Sequence, residues 1–202
     1  MISIDPASNS VKDNYKLLIG SIVPRPIAFV TTKTEKGTLN GAPFSYFNII
    51  SANPPMVSLA IQRIGEKQKD TARNAIQLKE FVVHIVTESN VEKVNETAAL
   101  LPAEESEIEL AGLTPVESLK ISVPGVQEAG VRMECVLEHA LELGGGEAPS
   151  SDLLIGRIVL FHFDEQIYKE GKIDYSELKA VSRLAGADYA KIGEIFSLER
   201  PK

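Results

Sequence analysis

Residues 24–71 read PRPIAFVTT (24–32), NGAPFSYFNIISANPPMVSLAI (40–61) and, from Arg63, R-x-x-x-x-x-KDT (63–71). Ile27–Thr32 is a β-branched run that ends in the polar turn KTEKGTLNG. Asn40–Ser51 continues as strand, Asn53-Pro54-Pro55 stops it, and Met56–Ile61 is a further short apolar strand. Short strands with Gly, Pro and Asn punctuation at close intervals predict an antiparallel barrel or sandwich. Asp70–Lys79 then reads as a helix, with Asp70 as N-cap and Ala72, Ala75, Ile76 and Lys79 on one face.

Outward from this stretch the pattern stays mainly β. Phe81–Val86 reads as a strand. Ser89-Asn90-Val91-Glu92 has capping-box spacing, and Val91, Val94, Ala98 and Leu101 follow at helical intervals up to Pro102. Ala103–Glu109 reads as an acidic linker. Val131–Leu143 alternates, with Val131, Met133, Cys135 and Leu137 on one face and Arg132, Glu134, Glu138 and Glu142 on the other, which predicts a strand. Leu153–Phe163 is another. Gly144-Gly145-Gly146 reads as a flexible loop, and the tail after Gly171 as turn-rich, with Ser182–Ile192 partly helical. Six or more strands, two helices and no strand–helix alternation exclude a doubly wound fold.

The 202 residues, 44% hydrophobic and 24% charged, allow one domain with a real core. A net charge of −7 argues against nucleic acid or an anionic membrane as main partner. A single cysteine, Cys135, permits no intrachain disulfide and no Cys-based zinc site. The opening MISIDPASNS lacks the basic and apolar regions of a signal peptide, and no apolar run approaches a membrane span. A reducing cytoplasm is the expected compartment.

Three features carry possible chemistry. A helix start offers free N–H groups and partial positive charge, where Lys69 adds a full charge and Thr71 a hydroxyl, with Arg63 and Lys67 in the preceding loop; this is a place for a phosphate. Asp70 would repel that phosphate unless its carboxylate turns back onto the helix. The same feature also reads as an ordinary capped surface helix. Second, Ser45 and Asn48 can donate and accept around a flat heteroaromatic ring, bedded by Phe44, Tyr46 and Phe47; the alternative is a plain barrel strand with core aromatics. Third, Arg25 sits between two prolines, extended, and serves either an anion or a surface turn.

Other residues read as structural. His84, His139 and His162 each fall in a strand without metal-ligand spacing, so no metal site is expected. Cys135 on an apolar strand face reads as an inert buried thiol. There is no G-x-G-x-x-G, G-x-x-x-x-G-K-[ST] or G-x-S-x-G, hence no Rossmann unit, P-loop or nucleophile elbow.

The ordered set of PRPIAFVTT, NGAPFSYFN, Asn53-Pro54-Pro55 and Lys69-Asp70-Thr71 with Asn74 resembles the flavin reductase-like FMN-binding split-barrel family, its flavoredoxin-like branch most of all. The resemblance continues through Phe81–Val86, Ser106-Glu107-Ile108, Ala111-Gly112-Leu113, Glu134-Cys135, Ile155–Ile158 and Ser182-Arg183-Leu184 with Gly186 and Tyr189. It implies one FMN-binding domain over residues 1–202: a six-stranded antiparallel Greek-key split β-barrel with flanking helices, in a homodimer with FMN near the interface. It places Ser45, Tyr46, Phe47 and Asn48 at the isoalloxazine, Arg63, Lys69 and Thr71 near the phosphate, Asp70 as a loop-fixing residue, and Arg183 and Tyr189 on the substrate side. Many relatives carry Trp at the place of Phe29, Asn at that of His84 and Phe at that of Ile108. The first and third read as packing changes and His84 as a change in the cofactor surroundings.

The function so implied is an FMN-dependent oxidoreductase of the NAD(P)H:flavin reductase type, in which the ring carries the chemistry and no catalytic side chain is assigned. Without a Rossmann unit, NAD(P)H would stack directly on the flavin. The alternatives are an electron-transfer flavoprotein that meets a redox-protein partner, and a flavin- or haem-binding module.

Overall fold

The fold is taken from a computed structural model that describes residues 1–144 and 148–201; Gly145 and Gly146 of the expected glycine loop lie outside them. In chain order the main elements are α1 (Val11–Ser21), β1 (Ala28–Lys33), β2 (Leu39–Phe44), β3 (Phe47–Ala52), β4 (Pro55–Gln62), α2 (Asp70–Leu78), β5 (Glu80–Ile85), α3 (Val91–Glu96), α4 (Glu107–Leu110), β6 (Val131–Leu143) and β7 (Ser151–Phe163). The hairpin β8 (Val181–Arg183) and β9 (Tyr189–Lys191) follows.

Strands β1 to β7 form one antiparallel sheet in the order β2-β1-β5-β6-β7-β4-β3. The order contains the shape. Strands β2 and β3 are the two edges, yet only Ser45 and Tyr46 separate them in sequence. A two-residue link reaches roughly 10 Å, so the sheet must roll until its edges nearly meet. The result is a barrel with a seam at Ser45-Tyr46, where the Tyr46 carbonyl accepts from the Ala60 amide (2.9 Å), one rung beyond the Phe47–Leu59 pair of β3 and β4. The continuous strand expected over Asn40–Ser51 is therefore two strands belonging to opposite edges.

Inside the barrel pack Val30, Phe44, Leu59, Phe81, Cys135 and Leu154, with Ala72 and Ala75 of α2 plugging one end. Gly156 is required here, since a Cβ would stand 2.3 Å from Phe81 Cζ. Strand β1 is buried on both faces, because Phe29 turns outward into a second core with Val94, Ile108, Leu113 and Val126. Phe29 meets the His84 ring at a tilt, with centroids 5.4 Å apart. It also crowds, with Ile108, the Cβ-less face of Gly41. Phe29, His84 and Ile108 thus occupy one packed neighbourhood.

Several local expectations are corrected. Lys69 rather than Asp70 is the N-cap of α2; Asp70 is its first helical residue and pairs with Arg73. The Ser89 capping box does not form; Asn90 is the N-cap of α3, its Oδ1 accepts from the Thr87 amide, and the helix stops at Glu96. The acidic linker contains α4, capped by Ser106. Ser182–Ile192 is not helical but holds the hairpin β8–β9, whose Arg183 and Ser182 pair with Arg25 and Pro26. Glu134 is buried although it falls on the polar face of β6, because the segment at Leu119 and Lys120 covers that face and both its amides donate to the carboxylate (2.7 Å each). The helix α1, capped by Ser10, was not anticipated.

Candidate functional site

The seam opens into two adjoining clefts that share Pro43, Phe44 and Lys69. The larger, about 290 Å³, lies against the start of α2 and is lined by Asn40, Lys67, Asp70, Thr71 and Glu107 among others. The smaller, about 130 Å³, lies at the crossing and is lined by Tyr15, Arg25, Ser45, Tyr46, Arg183 and Leu184 among others.

At the α2 end, no side chain caps the helix, so the first-turn amides keep their donor capacity. The Lys69 ammonium stands 5.8 Å from the Phe44 ring centroid, and no ion pair engages it among the described residues. Asp70, whose charge would oppose an anion, is neutralised by Arg73. Thr71 is buried, and its hydroxyl donates to Asn40 Oδ1 (3.0 Å). It therefore offers an anion its backbone N–H rather than its hydroxyl proton. Asn40 in turn accepts from Thr32 (3.1 Å) and donates to Glu107 Oε2 (2.9 Å), which also takes the Gly41 amide (3.3 Å). Burial pushes the Glu107 carboxyl up, against the pull of those donors. This buried network locks strand β2, helix α2 and helix α4 together behind the cleft.

At the crossing, Arg25 is 6% exposed. Its Nη1 donates to the carbonyls of Ile19 (2.8 Å) and Ile22 (2.7 Å), its Nη2 to that of Leu184 (2.8 Å), and its Nε to Ser45 Oγ (3.3 Å). One guanidinium thus ties the end of α1, the β8–β9 turn and the seam serine. The Tyr46 hydroxyl is buried without a hydrogen-bond partner among the described residues. Burial first, then the neighbouring Tyr15, push its pKa up against Arg25, so it is a neutral donor. Arg183 caps its own turn through the Gly186 carbonyl (2.6 Å) and stacks 4.4 Å from the Tyr189 ring centroid. The Tyr189 hydroxyl donates to Asn95 (2.9 Å).

Ser45, Tyr46, Lys69, Asp70 and Thr71 are therefore brought together, while three other expected residues are placed elsewhere. Phe47 packs against the barrel interior. Asn48 is exposed on edge strand β3, its side-chain oxygen taken by the Ile49 amide (2.8 Å). Arg63 lines neither cleft. Its guanidinium grips the buried Asp152 through Nε (3.0 Å) and Nη2 (2.6 Å) and reaches Glu142 (2.7 Å). Asp152, then Glu142, hold it above its ordinary range. It fastens the loop before α2 to β7, and Gln68 helps by donating to Asp152 (2.9 Å).

His84 lines neither cleft either. It is fully buried, its Nδ1 donating to the Phe29 carbonyl (3.0 Å) and its Nε2 accepting from the Val126 amide (3.0 Å). Burial lowers its pKa to about 3. His162 pairs with buried Glu134 (2.6 Å), and His139 is exposed. Burial raises the Cys135 thiol far above its ordinary range. Among the described residues no three His, Cys, Asp or Glu side chains are placed to hold a metal ion, and no helix is long and apolar enough to cross a membrane.

Asn40 and Glu107 are the site residues the sequence reading missed. The signal for Glu107 was present, since Ser106 and Glu109 have capping-box spacing and Ser106 Oγ does accept from the Glu109 amide.

The donor set fits FMN: an uncapped helix start with an unpaired ammonium, joined to a crossing rich in donors and free of carboxylates. Comparisons with known proteins give the family. The chain is 62% identical to nitrilotriacetate monooxygenase component B from Bacillus cereus, with a TM-score of 0.97 over 98% of each chain. It is 28% identical to the 2-nitrobenzoate 2-nitroreductase NbaA of Pseudomonas fluorescens, with a TM-score of 0.89 over 99% of this chain and 96% of that one. A split-barrel protein from Shewanella frigidimarina, 20% identical, shares the fold with a TM-score of 0.85 over the whole of both chains. The model of the flavin reductase like domain matches residues 19–178, and the chain belongs to that family.

Proposed function

We propose that the protein is an FMN-dependent oxidoreductase of the NAD(P)H:flavin reductase type, a single domain over residues 1–202 working as a cytoplasmic homodimer. The observation that carries the reading is the continuity of the two clefts through Pro43, Phe44 and Lys69. It sets a phosphate-sized cluster of donors beside a ring-sized wall. The first-turn amides of α2 and the Lys69 ammonium hold the phosphate, and Thr71 is fixed there by Asn40. Ser45 and Tyr46 donate to the ring, with Phe44 and Pro43 as its apolar bed. Bound FMN would supply two-electron redox chemistry between a nicotinamide and an acceptor. The protein's task is to orient the ring, exclude water from one face and leave the other open to the donor.

The likeness to a monooxygenase component supports a division of labour in which this chain reduces flavin for a separate partner. Exposed Leu17, Leu18 and Ile22 at α1 and Ile49 and Ile50 on edge strand β3 supply an apolar surface for a second copy.

The test is the visible spectrum of the purified protein with added FMN, followed by NADH and NADPH oxidation with FMN or FAD. A two-banded, perturbed flavin spectrum and turnover with either donor are expected. A bound flavin that dithionite bleaches but neither nucleotide reduces would replace the reductase by an electron-transfer flavoprotein. A protein that does not perturb FMN would overturn the flavin reading.

A further inference from the structure

The two clefts differ in charge. The one at α2 is lined by two cations, Lys67 and Lys69, and two acids, Asp70 and Glu107. The one at the crossing is lined by Arg25, Lys69 and Arg183 and, among the described residues, by no Asp or Glu. Arg25 makes the imbalance acute, because all four of its hydrogen bonds go to neutral oxygens. Burying a guanidinium without a carboxylate is costly. The carbonyls at the end of α1, where the helix carries partial negative charge, offset only part of that cost. The Tyr46 hydroxyl beside it is a buried donor with no acceptor among the described residues, a second cost that a ligand oxygen or nitrogen would relieve. Arg25 Nε donates to Ser45 Oγ, which leaves the serine's own hydrogen free for a ligand.

We propose that the crossing cleft favours the flavin ring in its reduced, anionic form, with Arg25 as the positioning residue that supplies the charge and orients Ser45. This rests on the flavin reading above. A nicotinamide donor delivers two electrons and one proton to the neutral ring, and is itself oxidised. The ring is left as a monoanion, which only a further proton from water would neutralise. A buried cation facing that ring binds the product of the step more strongly than its starting form. The phosphate, common to both forms, does not discriminate between them.

The test is the ratio of FMN affinities in the two oxidation states. Oxidised FMN is titrated by fluorescence, and dithionite-reduced FMN by anaerobic ultrafiltration. In the unaltered protein the reduced form should bind about tenfold tighter or more. Arg25→Gln should bring the ratio near one, by weakening reduced-FMN binding about tenfold more than oxidised-FMN binding. Arg25→Lys should restore most of the ratio, which a purely structural role for the guanidinium fork does not predict. Riboflavin should show the same ratio as FMN. The proposal is overturned by a ratio near or below one in the unaltered protein, by Arg25→Gln weakening both states equally, or by a ratio that riboflavin lacks; the last two would assign the charge to the phosphate. Should Arg25→Gln not fold, Arg183→Gln at the cleft's open side carries the test. It should cut the ratio about threefold, and an unchanged ratio overturns the idea. Loss of FMN binding in the unaltered protein strikes the flavin reading instead.

Discussion

Lys69→Ala isolates the phosphate half of the site. The ammonium engages no carboxylate among the described residues, so its removal orphans no charge. What folding loses is a long contact to the Phe44 ring at 5.8 Å, below about 1 kcal/mol. What binding loses is larger. Two unit charges 4 Å apart interact by about 1 kcal/mol in water and about 4 kcal/mol at the effective dielectric of a protein surface. A charge-assisted hydrogen bond contributes about 1.5–3 kcal/mol. The dissociation constant for FMN should therefore rise roughly 10- to 150-fold, and the difference should shrink as salt is added. Riboflavin, which lacks the phosphate, should lose less than about twofold, and Lys69→Arg should retain most FMN affinity. The assay is quenching of flavin fluorescence, with a thermal melt to show that the fold is intact. Equal losses for FMN and riboflavin, or no loss for FMN, would refute the placement of the phosphate at α2.

Four other outcomes are expected. Arg63→Ala should lower the urea midpoint, because Asp152 is then buried with only Gln68 as partner, yet leave the FMN affinity of the folded protein unchanged; a clear loss of affinity would return Arg63 to the phosphate. Between pH 6.5, the unperturbed value, and about 3, the folded value, the unfolded chain binds a proton that native His84 refuses. Native stability should thus fall with acidification through that window, by up to about 1.4 kcal/mol per pH unit from this residue, and urea curves of His84→Gln should lack that part of the slope. Cys135→Ala should cost on the order of 1 kcal/mol of stability and leave the flavin spectrum intact; rapid reaction of the native thiol with a disulfide reagent would contradict its burial. Gly156→Ala forces a methyl to 2.3 Å from Phe81 Cζ and should destabilise by about 1–3 kcal/mol, read as a lowered melting temperature.

What the sequence made legible follows from the range of the forces involved. Strands β1, β4, β5, β6 and β7 were readable because each buries at least one face and so alternates or runs apolar over its length. Helix α1 went unread although Ser10 stands at its N-cap and Val11, Tyr15, Leu18 and Ile22 recur at helical spacing; it is peripheral to the core, with only Ile19 buried. Ser182–Ile192 was misread because RLAGADYAKI has local helix formers, whereas its strand character comes from pairing with Arg25 and Pro26, more than 150 residues earlier. The same distance problem hid the ion pair of Arg63. Its neighbours in sequence are the Lys-Asp-Thr cluster, but its partner Asp152 is 89 residues away. Lys69 and Thr71 could be set at the start of α2 because a helix start is a local event. Even there, the commitment of the Thr71 hydroxyl to Asn40 depended on a strand 31 residues back.

The location of the site follows from the topology. A closed barrel pairs every strand edge, whereas an open sheet exposes two. Here one strand leaves the edge beside β1 and, after two residues, joins the opposite edge beside β4. At that crossing the chain cannot satisfy both ladders: Tyr46 gives its carbonyl to Ala60, and Ser45 gives its hydroxyl oxygen to Arg25. The polar groups left over cannot be buried without a partner. They need water or a ligand, and two neighbouring elements decide between them. Helix α2 starts within reach of the same Phe44 and adds a charged, uncapped terminus. The β8–β9 turn, clasped by Arg25, closes the other side. A flat ring with an anionic tail answers all of these unsatisfied groups at once. The split in the barrel is for that reason the place proposed here for the flavin.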